Sequence, residues 1–196
     1  NSTTKNNVDR PTWLHQQLRG NADYRALFAD RVHRHFFNDG VLTPDSVERV
    51  FDGFVDELRV PLVGESARWG DAQRASEPYS VGDEWQTEVD FQKNTYLPNR
   101  SNTVLNQLKS QNLYPAIDAP IFGQFGGEVP VGYSLAMSLL GQEIHYTLDG
   151  SDPKDGGTIY VEEVILNESV EVKARTLSNG IWSALTHAAF YVGTVP

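Results

Sequence analysis

Ile144-His145-Tyr146-Thr147-Leu148-Asp149-Gly150-Ser151-Asp152-Pro153 alternates apolar and polar residues and then runs into a tight acidic turn. That is the pattern of a half-buried strand leading into a loop. Asp149-Gly150 supplies the reversal, because glycine accepts positive φ without a Cβ clash. Pro153 denies the chain a backbone donor, so the segment cannot continue as a central strand. The spacing predicts a structural turn in which Asp149 or Asp152 accepts backbone N–H groups. On that reading Asp152→Asn costs little, since an amide oxygen still accepts.

Working outward, a period of two holds from Pro115 onward. Ile117, Ile121 and Phe122 precede the Gly-rich turn Gly123-Gln124-Phe125-Gly126-Gly127. Candidate strands follow at Tyr133–Leu139, Glu143–Leu148, Thr158–Tyr160, Val170–Leu177 and Ala188–Val192. In the longest, Val170, Val172, Ala174 and Thr176 share one face, with Glu171, Lys173 and Arg175 on the other. Short strands at near-regular spacing imply a sandwich.

Upstream the period is helical. Asn21 caps a helix in which Tyr24, Leu27, Phe28, Arg31, Val32, His35 and Phe36 recur at i, i+3, i+4 spacing, ended by Asn38-Asp39-Gly40. Thr43-Pro44 starts another with Val47, Val50, Phe51, Phe54, Val55 and Leu58. Pro61 is expected to end or kink it, leaving residues 64–82 as a surface loop. Helices at Asp83–Tyr96 and Arg100–Gln111, parted by Pro98, complete the half. The fold class is therefore α+β in two units, residues 1–115 helical and residues 116–196 an antiparallel β-sandwich. The helical half is expected to carry an exposed apolar patch, including Phe28, Phe36, Phe51 and Phe54, or to hide one by dimerising or packing on the sandwich.

Composition narrows the function. Of 196 residues, 39% are hydrophobic and 11% aromatic, enough for a packed core. A net charge of −10 argues against nucleic acid or an anionic membrane surface as partner. There is no cysteine, which excludes disulfides and thiol chemistry. No apolar run is long enough to span a bilayer. The polar start, Asn1–Asn7, with no initiator Met, is expected of a piece of a longer polypeptide or a processed chain.

Residues 116–196 resemble the C-terminal Ig-like, fibronectin-III-like module found behind chitobiases and β-hexosaminidases. The resemblance runs through Ile144–Pro153, Ile159-Tyr160, Val170–Thr176 and Gly180-Ile181-Trp182-Ser183. It implies an accessory module, because hydrolysis in that family belongs to a separate domain. The helical half is similar to the C-terminal end of CotH-like, spore-coat-kinase-like proteins. Leu18–Arg25, Phe36–Gly40, Glu65–Gly70, Trp85, Glu88, Arg100, Val104-Leu105, Leu108 and Leu113-Tyr114-Pro115 carry that similarity. It implies an atypical kinase fold in the parent protein, with nucleotide- and metal-binding residues upstream of Asn1, and an extracellular or cell-envelope bacterial location.

Candidate chemistry is thin. Asp149, Asp152 and Asp155 with Gly150 and Gly156 offer oxygens to Ca²⁺, but the EF-hand spacing and its Glu are missing, so turn capping is the favoured reading. His33 and His35 diverge by about 200° on a helix and do not share a zinc; His35 is expected in the core. Glu65 and Arg68 are spaced for a helical ion pair. Tyr146 and Trp182, with Tyr160 and Tyr191, are candidate sugar-stacking aromatics, although strand aromatics more often belong to a core. No catalytic, cofactor or metal residues are assigned. The expected function is a non-enzymatic accessory or scaffolding region whose partners are an upstream domain of the same polypeptide and a glycan or protein. The alternatives are a carbohydrate-binding sandwich, or the C-terminal part of an atypical protein kinase.

Overall fold

A computed structural model describes residue 8 and residues 12–138 and 142–193. The polar start and Leu139 lie outside these. Two compact units form: Asn1–Arg34 with Gln107–Pro196, and His35–Asn106. The first unit thus draws on both sides of the 115/116 boundary expected from the sequence, because α2 carries side chains that bond to the strands.

In the first unit, α1 (Thr12–Leu18) is followed by α2 (Ala22–Phe36), most of which belongs here. Asn21 accepts the Tyr24 N–H at 2.9 Å and caps α2, as its sequence predicts. Among the described residues ten strands follow: β1 (Ile121–Phe122), β2 (Gly127–Val129), β3 (Tyr133–Leu135), β4 (Met137–Ser138), β5 (Glu143–Thr147), β6 (Thr158–Ile159), β7 (Val164–Leu166), β8 (Val170–Ser178), β9 (Ile181–Trp182) and β10 (Thr186–Val192). The main sheet runs β2-β10-β8-β5-β6, with β9 pairing the end of β8. Two small antiparallel pairs, β1–β4 and β3–β7, add their side chains to the same core.

Two expectations need correction. The sandwich is mixed rather than antiparallel throughout, because β2 pairs β10 in parallel. The strand expected at Tyr133–Leu139 is two strands: β3 pairs β7 and β4 pairs β1, so the chain changes partner at Ala136. β2, β7 and β9 were not distinct in the pattern because each is only two or three residues long. The core contains Leu135, Leu166, Val172, Ala174 and Phe190, all at most 2% exposed.

In the second unit, Thr43 caps α3 (Pro44–Gln73), accepting from the Ser46 N–H at 3.4 Å. Pro61 sits inside α3 and does not end it. The half beyond the proline is held by the segment crossing it: Tyr79 N–H donates to the Gly70 carbonyl at 3.3 Å, and Ser66 Oγ donates to the Tyr79 carbonyl at 2.6 Å. The expected loop at 64–82 is therefore half helix. A π turn (Val81–Trp85), α4 (Gln86–Phe91), a second π turn (Gln92–Tyr96) and α5 (Leu97–Ser110) then continue one another. The second π turn directly precedes Pro98, and Leu97 N–H donates to Gln92 O five residues back. A widened turn there relieves the clash between the proline ring and the carbonyl four residues earlier, so the helix does not break. The expected Glu65–Arg68 pair is not among the ion pairs of the described residues; Arg68 lies over the Trp69 ring at 4.9 Å.

Val55, Val89 and Leu97 are the large apolar residues buried in this unit, whereas Val50, Phe54 and Leu58 are exposed on successive turns of α3. The expected apolar surface is present. Of the four phenylalanines expected on it, Phe54 is exposed; Phe28, Phe36 and Phe51 are half-buried.

Candidate functional site

The Asp149–Pro153 turn leads to the most heavily bonded side chain of the first unit. Asp149 Oδ1 accepts from the Ser151 N–H at 2.9 Å and its hydroxyl at 2.6 Å, which holds its carboxyl below the usual range. Gly150 takes φ +83°, the left-handed geometry the sequence predicts. Asp152 Oδ1 accepts from the Lys154 N–H at 3.1 Å, capping the short 3₁₀ turn Pro153–Asp155. Pro153 is buried.

Asp152 does more than cap. Arg175 Nε donates to Asp152 Oδ1 and Nη2 to Oδ2, both at 2.7 Å. From the other side, Asp30 of α2 accepts from Nη1 at 2.9 Å and from Nη2 at 2.8 Å. The Ser183 carbonyl takes the remaining Nη1 hydrogen at 2.9 Å. All five guanidinium donors are thus engaged, on a side chain 2% exposed. Asp30 Oδ1 also accepts from the Leu185 N–H at 2.9 Å. Burial alone would lower the Arg175 pKa, but its bonds to Asp152 and Asp30 outweigh this and raise it. Burial pushes Asp152 up, and the Arg175 bond overrides it to leave its carboxyl low.

The alternation places Arg175 on the face opposite Ala174 and Thr176. It does point away from the core, but α2 covers that face. Asp152→Asn therefore removes charge from a forked, largely buried pair, and the mild cost expected from turn capping alone is superseded.

One turn along α2, His33 is 6% exposed and His35 is exposed, the reverse of the expected assignment. His33 Nδ1 lies 2.8 Å from Tyr114 Oη and Nε2 lies 3.3 Å from Thr186 Oγ1. Thr186 donates to the Pro120 carbonyl at 2.6 Å. A neutral ring fits this chain: Tyr114 donates to Nδ1, and Nε2–H donates to Thr186. Burial pushes His33 down to about 4, against the opposing pull of Asp30 and Asp118 and with a further push from Arg175. Burial also raises Tyr114.

The candidate aromatics do not share one face. Tyr146 packs against the core and meets Tyr160 edge-on at 6.5 Å, while Tyr160 Oη accepts from the Met137 N–H at 3.1 Å. Trp182 meets His145, which has the opposite pleat, edge-on at 5.0 Å. Tyr191 is exposed. Among the described residues, no group of three or more His, Cys, Asp or Glu side chains is placed to hold a metal. No described helix is long and apolar enough to cross a membrane.

Asp30, His33, Tyr114, Thr186 and the buried role of Arg175 were not visible in the sequence. Asp30 and Arg175 are 145 positions apart, and no local spacing encodes such a pair. The one available signal was an arginine between Ala174 and Thr176 in the longest strand.

Residues 135–190 match the family model described as "Fn3 associated". The match starts in β3 and ends in β10, so this segment is similar to a fibronectin-III-associated module. Asp30 and His33 lie outside it. No curated protein matches the chain.

Proposed function

We propose that this chain is a non-catalytic accessory region of an exported bacterial polypeptide, in which the sandwich acts as a scaffolding or interaction module beside an upstream domain. The fibronectin-III-associated match supports the accessory reading. The observation that carries it is the use made of the motif-rich turn: its Asp152 and the Arg175 opposite are consumed in bonds to each other, to Asp30 and to Ser183, leaving no guanidinium donor for a substrate. The finer resemblances, to the module behind β-hexosaminidases and to the end of a CotH-like kinase fold, belong to this proposal and give it an extracellular or cell-envelope setting. The exposed Val50, Phe54 and Leu58 suit a helical region that completes a neighbouring domain.

The test is turnover. Incubated with ATP or with chitooligosaccharide, the full chain is expected to give no product above a buffer blank. Turnover abolished by a single substitution in the chain overturns the proposal. A glycan array probed with the full chain addresses the rival carbohydrate reading; signal lost on both Tyr146→Ala and Trp182→Ala would favour it.

A further inference from the structure

An open cleft of about 710 Å³ in the first unit is lined by Gln16, Arg19, Gly20, Arg25, Gln111 and Asn112. Its size lies within the roughly 300–1,000 Å³ of small-molecule sites. The lining contains two guanidinium groups and three amides but no carboxylate, on a chain whose net charge is −10.

Both arginines are held in place. Arg19 Nη1 donates to Gln16 Oε1 at 3.1 Å, and Nη2 donates to the Gln111 carbonyl at 3.2 Å and its Oε1 at 3.0 Å. Arg25 Nη1 donates to the carbonyls of Arg19 at 2.8 Å and Gly20 at 3.1 Å. These bonds satisfy carbonyls just beyond the ends of α1 and α5, an ordinary use of arginine near helix C-termini. They leave capacity over. Among the described residues, Arg25 Nε and Nη2 and Arg19 Nε have no acceptor, and neither side chain pairs with a carboxylate. A guanidinium with Nε and one Nη free presents the two parallel donors that fit an oxyanion. Amide side chains around it both donate and accept, which suits hydroxyl groups.

We propose that this cleft binds a polyol bearing an oxyanion, a sugar phosphate or a sugar acid, with Arg19 and Arg25 on the oxyanion and Gln16, Gln111 and Asn112 on the hydroxyls. Asn112 supplies a clean probe. It sits at φ +56°, which glycine also adopts, so Asn112→Gly removes the amide and keeps the backbone. Arg25→Lys keeps the charge and removes the fork.

The experiment is calorimetric titration of the full chain at low ionic strength with glucose 6-phosphate, glucuronate, inorganic phosphate and glucose. Either anionic sugar is expected to bind at least about tenfold more tightly than glucose and than inorganic phosphate. Comparing the two anionic sugars tells phosphate from carboxylate. Arg25→Lys is expected to cost about tenfold, and Asn112→Gly a several-fold loss at unchanged melting temperature. Failure of both anionic sugars to outbind glucose overturns the proposal, as does binding indifferent to both substitutions. Inorganic phosphate binding as well as the sugar phosphate removes the polyol from it.

Discussion

The two units spend their apolar residues in opposite ways. In the first, Leu135, Val172, Ala174 and Phe190 close a dry core, and the one arginine beside it is surrounded by acceptors. In the second, Val55, Val89 and Leu97 are buried while Val50, Phe54, Leu58, Val63 and Trp69 stand in solvent. A sheet buries a whole face by pairing in sequence-distant registers, whereas a long helix needs a partner along its length to do the same. The lesson is that the strand-rich unit carries its own stabilising partners, and the helical unit displays a surface still suited to one.

Breaking the first unit should take one side chain. Arg175→Ala leaves Asp30 and Asp152 facing each other without their counter-charge, and is expected to cost about 3–5 kcal/mol. Amide hydrogen exchange should show the loss in β8 and α2, with α3 protection unchanged. If α3 opens equally, the contrast between the units fails. Asp152→Asn is expected to fall below this but above an ordinary surface change.

The next effect is a pH dependence. His33 titrates at about 4 when folded against about 6.5 when unfolded. The unfolded chain therefore takes up the proton first, and stability falls as pH drops from about 6.5 to about 4, by about 2–3 kcal/mol over the window. Above pH 6.5 this group contributes no slope. His33→Gln, which keeps one donor and one acceptor, should flatten a plot of unfolding free energy against pH between 6.5 and 4. A wild-type curve flat over that range refutes the buried neutral ring.

In the second unit the sharpest point is Gly70, where a Cβ would lie 2.5 Å from the Tyr79 carbonyl oxygen. Gly70→Ala is expected to destabilise by about 1–3 kcal/mol, despite alanine's better helix propensity. A stabilised variant would show that the 79–85 segment does not lie against α3.

Two small effects complete the comparison. Thr176 Oγ1 is buried without a partner among the described residues, so Thr176→Val should stabilise the first unit by about 1 kcal/mol in denaturant titration. Phe54→Ser should change stability by less than about 0.5 kcal/mol, because the ring is already 58% exposed. A large loss on Phe54→Ser would mean that the ring is packed.

The residues that spoke plainly in the sequence were those whose physics is local. Asn21, Thr43 and Gly150 act on neighbours a few positions away, and each does what its type and spacing predict. Pro61 and Pro98 misled because distant segments decide whether a helix survives a proline, and a π turn can absorb one. His33 and His35 were exchanged because each has one apolar neighbour, Val32 or Phe36, and shares Arg34, so helical phase does not single one out. The Arg175 assembly was illegible for a different reason: alternation says only which side of a sheet a residue faces, not whether a helix lies on that side.

β10 is the last strand among the described residues and an interior strand of the main sheet, flanked by β2 in parallel and β8 antiparallel. As the chain leaves the ribosome, Asp30 emerges long before Arg175, and β2 waits some sixty residues for the strand it pairs with. The sheet has no continuous middle until Thr186–Val192 has been made. Its assembly is thus postponed until that strand has emerged, in keeping with the slow closure of non-local pairings, and a ribosome stalled before residue 186 would hold a sheet split in two.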